Sequence, residues 1–224
     1  MNLPEEIMDH KTVLPKNENS EQELLFITGI GTEVGKTVCS AIVTKYFNAE
    51  YWKLVQSGDL DFSDSIKVKE LTGKNTVCHP ETYRLKLAAS PHQSAREEGI
   101  TIDLNNFTLP ETSNNLIVEG AGGLMVPLND EHFIIDLIQK LNIPTVLVVK
   151  NYLGCINHTL LSIMALEQRK IKLKYIILNG NFPVDTEKII LKNIQPETAI
   201  IKIPHLEEIT IENIETAAKQ LEIL

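Results

Sequence analysis

The stretch Thr28-Gly29-Ile30-Gly31-Thr32-Glu33-Val34-Gly35-Lys36-Thr37 sets glycines before a lysine and a hydroxyl, the order that suits a chain of phosphates. Glycines let the backbone curl until successive N–H groups point inward at phosphate oxygens. A helix starting at the end of the stretch would add its partial positive charge. Lys36 would then reach the β- and γ-phosphates and the Thr37 hydroxyl would ligate Mg²⁺, so the ligand expected is ATP. The strict spacing GxxxxGK[ST] would need glycine at position 30; Ile30 stands there and Gly29 lies one residue early, so the loop is a variant.

A nucleotide loop needs a carboxylate at the end of a neighbouring strand to hold the metal. Leu116-Ile117-Val118-Glu119-Gly120-Ala121-Gly122 supplies one, with glycines after Glu119 for close backbone approach. Asp64 is a further candidate, because Mg²⁺ takes a few hard oxygens plus water, although Asp59 and Asp61 have the same chemistry. Lys53 sits in the apolar run Tyr51–Val55, with Ser57 close behind. A lysine there is costly unless its ammonium emerges at a functional end, where it could neutralise a transferring phosphoryl group. The bland alternative is a lysine on an edge strand, snorkelling to solvent.

The elements that must position these residues read as alternating strands and helices. Leu24–Thr28 and Thr145–Val149 are continuous apolar runs, as central parallel strands should be. Tyr51–Val55, Leu116–Val118, Tyr175–Leu178 and Ala199–Ile203 read as further strands. Helical spacing marks Val38, Ala41 and Ile42; Ile134, Ile138 and Leu141; Ile156, Leu160 and Ile163; and Ile211, Ile214, Ala218 and Leu221. Ser90-Pro91 is a helix start, with serine as N-cap and proline at the first helical position. This rhythm predicts one α/β domain over residues 24–224, a mostly parallel sheet with helices on both faces and the site at the strand C-terminal ends.

With 224 residues, 43% hydrophobic and 23% charged, the chain can bury a core of good size. A net charge of −9 disfavours nucleic acid and anionic membranes as main partners. No apolar run is long enough to span a bilayer. Cys39, Cys78 and Cys155 show no CxxC spacing, so neither a zinc site nor a disulfide framework is expected, and a reducing cytoplasm fits. Residues 1–23 lack a basic start and an apolar core, and read as a flexible solvated tail rather than a signal peptide.

Taken in order, TGIGTEVGKT, KLVQSG, SPHQSA, VEGAGG followed by Pro127-Leu128, and LGCINH resemble the dethiobiotin synthetase family, from Leu24 to about Leu206. The resemblance implies a seven-stranded parallel sheet and a homodimer. It implies that 7,8-diaminononanoate, CO₂ (or bicarbonate) and ATP are joined through a carbamate and a carbamic–phosphoric anhydride. It implies catalytic roles for Lys36 and Lys53. ATP would be held by Glu33, Val34, Gly35, Lys36, Thr37, Val38 and Asp64, by Glu119, Gly120, Ala121 and Gly122, and by Asn179, Gly180, Pro204, His205 and Leu206. Mg²⁺ would lie on Thr37, Asp64 and Glu119; Thr32 and Ser57 would touch the substrate, and Gly154, Cys155, Ile156 and Asn157 would bind its carboxylate from the opposite subunit. The family's loop usually reads TGTDTxVGKT, so Ile30 and Gly31 are departures, as are Leu54 for proline and Gly180 where aspartate is common.

Other classes fit less well. Partitioning-type switch ATPases carry a lysine five residues before the loop lysine, where this chain has Gly31. Cobyrinate amidotransferases would need a glutaminase half that 224 residues do not supply. No NKxD motif follows Thr145–Val149, against a GTPase. The substrate brings its own nucleophiles, so no triad is required, and His79, His92, His132 and His158 are expected to be structural.

Overall fold

Leu24–Gly29 (β1) is buried at five of its six positions, which only a strand covered on both faces can satisfy. A computed structural model describes residues 22–224 and places β1 at the centre of a sheet. The chain continues through Lys36–Tyr46 (α1), Glu50–Lys53 (β2), Val55–Ser57 (β3), Asp64–Thr72 (α2), Cys78–His79 (β4), Tyr83–Leu85 (β5) and Pro91–Glu97 (α3). It then runs through Leu116–Gly123 (β6), Ile134–Leu141 (α4), Thr145–Lys150 (β7), Cys155–Gln168 (α5), Leu173–Asn179 (β8), Val184–Lys192 (α6), Ala199–Ile203 (β9) and Ile211–Lys219 (α7).

Seven of these strands form one sheet in the order β4-β2-β6-β1-β7-β8-β9, and every pairing in it is parallel. Alternate residues of the central strands serve two cores. Leu25, Ile27, Tyr51 and Ile117 pack with Ile42 of α1 and Ile214 of α7. Phe26, Trp52, Leu116 and Val118 face the other way, onto Ile134 and Leu137 of α4. The sheet order reverses at β1, and the loops leaving β1 and β6 meet at the C-terminal edge, where open α/β sheets bind ligands.

Several elements differ from the sequence reading. The expected strand Tyr51–Val55 is broken at Leu54: β2 ends at Lys53, and β3 pairs instead with β5 in a separate two-stranded sheet. The break falls where Leu54 N–H donates to the Glu119 carbonyl (3.1 Å), after which the chain leaves the main sheet. Ile211 does not face inward; it opens α7 and is 45% exposed, while Ile214, Ala217 and Ala218 form the buried face. Helices α2 and α6 were not legible, since α2 has little hydrophobic periodicity and α6 buries Ile190 alone. Ser90 precedes α3 as expected, yet its hydroxyl meets His92 Nδ1 (3.0 Å) instead of capping the backbone. Of the expected tail, residues 1–21 lie outside the described residues. Gln22 bonds the carbonyls of Thr112 and Asn114, and Glu23 pairs with Lys174 at 2.7 Å.

Candidate active site

The loop from β1 to α1 turns through left-handed backbone at Glu33 (φ 59°) and at Gly35 (φ 87°), the N-cap of α1. A side chain at Gly35 would be strained, and its Cβ would lie 2.3 Å from Asn179 Nδ2. Asn179, at the end of β8, donates that amide to the Val34 carbonyl (2.8 Å) and so ties a neighbouring strand to the loop. Helix α1 then begins at Lys36, leaving its first N–H groups without intrahelical partners and directed at the same opening. Lys36 Nζ is nearly buried and donates to the Gly31 carbonyl (3.2 Å).

Four side chains from four elements converge beside this loop. Lys53, last in β2, lies in register with Glu119 of β6. The residue is only 4% exposed, and its ammonium sits 2.9 Å from Glu119 Oε1, 2.6 Å from Asp64 Oδ2 and 3.1 Å from the Gly120 carbonyl. The snorkelling alternative is therefore excluded: Lys53 is buried and paired. Asp64 reaches it from the first position of α2, whose N-cap Ser63 accepts from Ile66 N–H and whose Asp64 N–H donates to Gln56 Oε1 (3.1 Å). Geometry thus separates Asp64 from Asp59 and Asp61, which chemistry alone did not. Thr37 Oγ1 donates to Glu119 Oε1 at 3.3 Å.

Glu119 is fully buried and accepts four hydrogen bonds. Oε1 receives Thr37 and Lys53; Oε2 receives Ser40 Oγ (2.6 Å) and Tyr51 Oη (3.0 Å). Sequence reasoning missed Ser40 and Tyr51. The available signal was period two: Tyr51 lies two residues before Lys53, on the same side of β2.

Burial works against every charge here, and the neighbours decide the outcome. It pulls the Lys53 pKa down, but Glu119 and Asp64 more than offset it, and the net shift is upward. Burial raises the Asp64 carboxyl, yet the Lys53 charge and hydrogen bond prevail and hold it below its ordinary value. For Lys36, burial prevails and the pKa is lowered despite Glu119. Burial, then the Glu119 charge, push the Tyr51 phenol well above its ordinary range, so Oη stays a donor.

Lys36, Thr37, Lys53, Asp64 and Glu119 line a cleft of about 960 Å³ that also takes in Thr32, Glu33, Gly35, Val38, Ser57, Ala121 and Gly122. Ser57 Oγ is inaccessible to solvent and has no hydrogen-bond partner among the described residues. Val34, Gly120, Asn179, Gly180, Pro204, His205 and Leu206 do not line the cleft. Asn179 and Val34 abut it through the loop, Gly120 through its bond to Lys53, and Gly180 N–H is bonded to the Ile203 carbonyl (2.8 Å). Gly154, Cys155, Ile156 and Asn157 also stand outside it, at the start of α5, where Gly154 is the left-handed N-cap. His79, His92, His132 and His158, expected to be structural, do not line it; His79 pairs with Glu50 and His158 with Tyr152.

A second hollow, about 280 Å³ and mostly apolar, runs between the phosphate loop and α5, and shares Thr32 and Val126 with the cleft. Met125 and Leu161 line it and are exposed, as are Leu153 before α5 and Met164 within α5.

Residues 23–213 match a family described as AAA domain. The ATP-dependent dethiobiotin synthetase BioD of Christiangramia forsetii is 51% identical over 168 residues, covering 75% of this chain and 81% of that protein. The protein of the same name from Cytophaga hutchinsonii is 46% identical over 187 residues, covering 79% and 90%. Among solved structures, the cell division protein FtsY of Thermotoga maritima superimposes with a TM-score of 0.51 at 11% identity, covering 89% of this chain and 69% of that one. That likeness shows the fold alone.

Proposed function

The chain belongs to the dethiobiotin synthetase family, and on that premise we propose that it is an ATP-dependent ligase of biotin biosynthesis. It closes the cyclic urea of dethiobiotin from 7,8-diaminononanoate, CO₂ and ATP, releasing ADP and phosphate. The observation that carries this reading is the cluster of Lys53, Asp64, Glu119 and Thr37 beside the phosphate loop, in one cleft with Ser57, whose hydroxyl has no partner among the described residues.

The two substrate amines and the carbamate are the nucleophiles, so the protein's work is positioning and charge neutralisation. The α1 N-terminus and residues Glu33–Val38 bind the phosphates, with Lys36 at the β- and γ-groups. Asn179 reads the adenine edge, since an amide donates and accepts at once. Pro204–Leu206 flank the base and ribose. Lys53 draws the carbamate toward the γ-phosphate and neutralises the charge that develops as the anhydride forms. Ser57 and Thr32 orient the substrate amines.

Thr37, Asp64 and Glu119 are hard oxygen donors gathered around one point, a set that fits Mg²⁺. Bound there, Mg²⁺ supplies charge neutralisation to the phosphate oxygens. The Lys53 ammonium links the two carboxylates, so it would compete with a metal held by them.

The substrate's apolar chain suits the hollow that opens from Thr32 and Val126. Its carboxylate is bound at Gly154–Asn157 of a second subunit in a homodimer, by the N–H groups of Gly154, Ile156 and Asn157, since Cys155 N–H already donates to the Tyr152 carbonyl (2.9 Å). The exposed Met125, Leu153, Leu161 and Met164 around that segment support a covered interface. Among the described residues no helix is long and apolar enough to cross a membrane. Labelled bicarbonate tests the reading: label should enter an acid-stable product only when ATP and diaminononanoate are both present. Incorporation without ATP, or none with all three, would refute it.

A further inference from the structure

The Tyr51 hydroxyl and the Ser40 hydroxyl are the two groups at the site that no step above uses. Both residues are fully buried, and neither lines the cleft. Ser40 lies one helical turn beyond Lys36 on α1, and Tyr51 lies in the core on β2. A buried phenol needs a polar partner, and the one it has among the described residues is Glu119 Oε2 at 3.0 Å; Ser40 Oγ reaches the same oxygen at 2.6 Å. Two donors on Oε2 fix the rotation of the carboxylate about its last bond. They come from the interior, whereas both partners of Oε1, Thr37 and Lys53, line the cleft.

We propose that Tyr51 and Ser40 are positioning residues that hold Oε2 of Glu119 inward, leaving Oε1 as the oxygen offered to the metal. The inference rests on the reading of Glu119 as a metal-holding residue. Without the clamp, the carboxylate could turn about that bond, and a bound cation would meet a mixture of orientations. Outer partners of this kind commonly account for a tenfold or larger factor in metal affinity.

The test is a titration of the full-length protein with Mn²⁺ in the presence of ADP, read by electron paramagnetic resonance. The variants are Tyr51→Phe, which keeps the ring and its packing, Ser40→Ala, Glu119→Gln, and Tyr51→Phe combined with Glu119→Gln. We expect Tyr51→Phe and Ser40→Ala each to weaken Mn²⁺ binding by about tenfold. On the Glu119→Gln background, loss of the Tyr51 hydroxyl should add almost nothing, because it acts through that carboxylate. If Glu119→Gln weakens Mn²⁺ binding while both hydroxyl variants bind as the parent does, the positioning role is overturned and the metal reading stands. A lowered melting temperature with parental Mn²⁺ affinity would likewise make the two hydroxyls core supports only. A full further tenfold loss in the double variant would show action outside Glu119 and also overturn the inference. Parental affinity in Glu119→Gln itself would remove the metal reading and this inference with it.

Discussion

Replacing Lys53 by methionine keeps an unbranched side chain, one atom shorter, and removes one buried charge. The ammonium lies 2.6 Å from Asp64 and 2.9 Å from Glu119, and Glu119 is fully buried. The two carboxylate oxygens are therefore at most about 5.5 Å apart, where uncompensated unit charges repel by roughly 3 kcal/mol at an effective dielectric constant near 20. The Asp64 side chain is 22% exposed, so solvent screening lowers the figure to about 2 kcal/mol. For a chain of this size that corresponds to a melting temperature lower by about 4–8 °C in EDTA. The same uncompensated pair should bind a divalent cation more tightly, because the cation no longer competes with an ammonium. A gain of about 2 kcal/mol is a factor of about 30 in affinity. Turnover should nevertheless fall by about 100-fold or more, as the charge at the reacting phosphoryl group is gone. Differential scanning fluorimetry in EDTA and in Mg²⁺, Mn²⁺ titration without nucleotide, and steady-state kinetics read the three effects. Parental stability in EDTA together with parental or weaker Mn²⁺ affinity would refute the reasoning that Lys53 neutralises the carboxylate pair.

Three further outcomes follow from the site. Glu119→Gln should weaken Mg²⁺-dependent turnover and recover part of it at high Mg²⁺; coinciding Mg²⁺ titrations would put Glu119 outside the metal's reach. Asn179→Ala removes the 2.8 Å bond to Val34, so the KM for ATP should rise by about fivefold, and amide exchange in residues 30–35 should quicken; unchanged exchange would show the loop is held without it. Substitutions at Asn157 should raise the KM for diaminononanoate and spare that for ATP, and mixing an Asn157 variant with a Lys53 variant should restore activity. Subunit exchange without recovery would put both residues in one subunit's site.

The parts of this protein legible before its structure are those whose chemistry is local in the chain. The loop Gly29–Thr37 and the lone lysine in β2 are a spacing and an incongruity that one segment shows by itself. Central strands such as Thr145–Lys150 were legible to within a residue, because burial on both faces leaves a continuous apolar run. What was not legible depends on partners distant in sequence. Asp59, Asp61 and Asp64 are chemically alike, and only the start of α2 turns Asp64 onto Lys53. Strand Tyr51–Val55 reads as continuous until Glu119, 65 residues on, takes the Leu54 N–H and β5 takes up Val55–Ser57. Ser40 and Tyr51 look like ordinary helix and strand residues until Glu119 is placed between them. Ile211 shares the helical period of Ile214 and Ala218, but as the first residue of α7 it is left 45% exposed.

The most direct test of the central claim is the stoichiometry of the complete reaction. ADP formation by the purified protein is followed with ATP and Mg²⁺, adding diaminononanoate, bicarbonate, or both, and dethiobiotin is quantified by mass spectrometry. We expect ADP to appear only when both are present, with one dethiobiotin formed for each ADP. Sustained ADP formation that ignores either addition, or ADP without dethiobiotin, would contradict the assignment and leave a phosphate-binding fold with some other work.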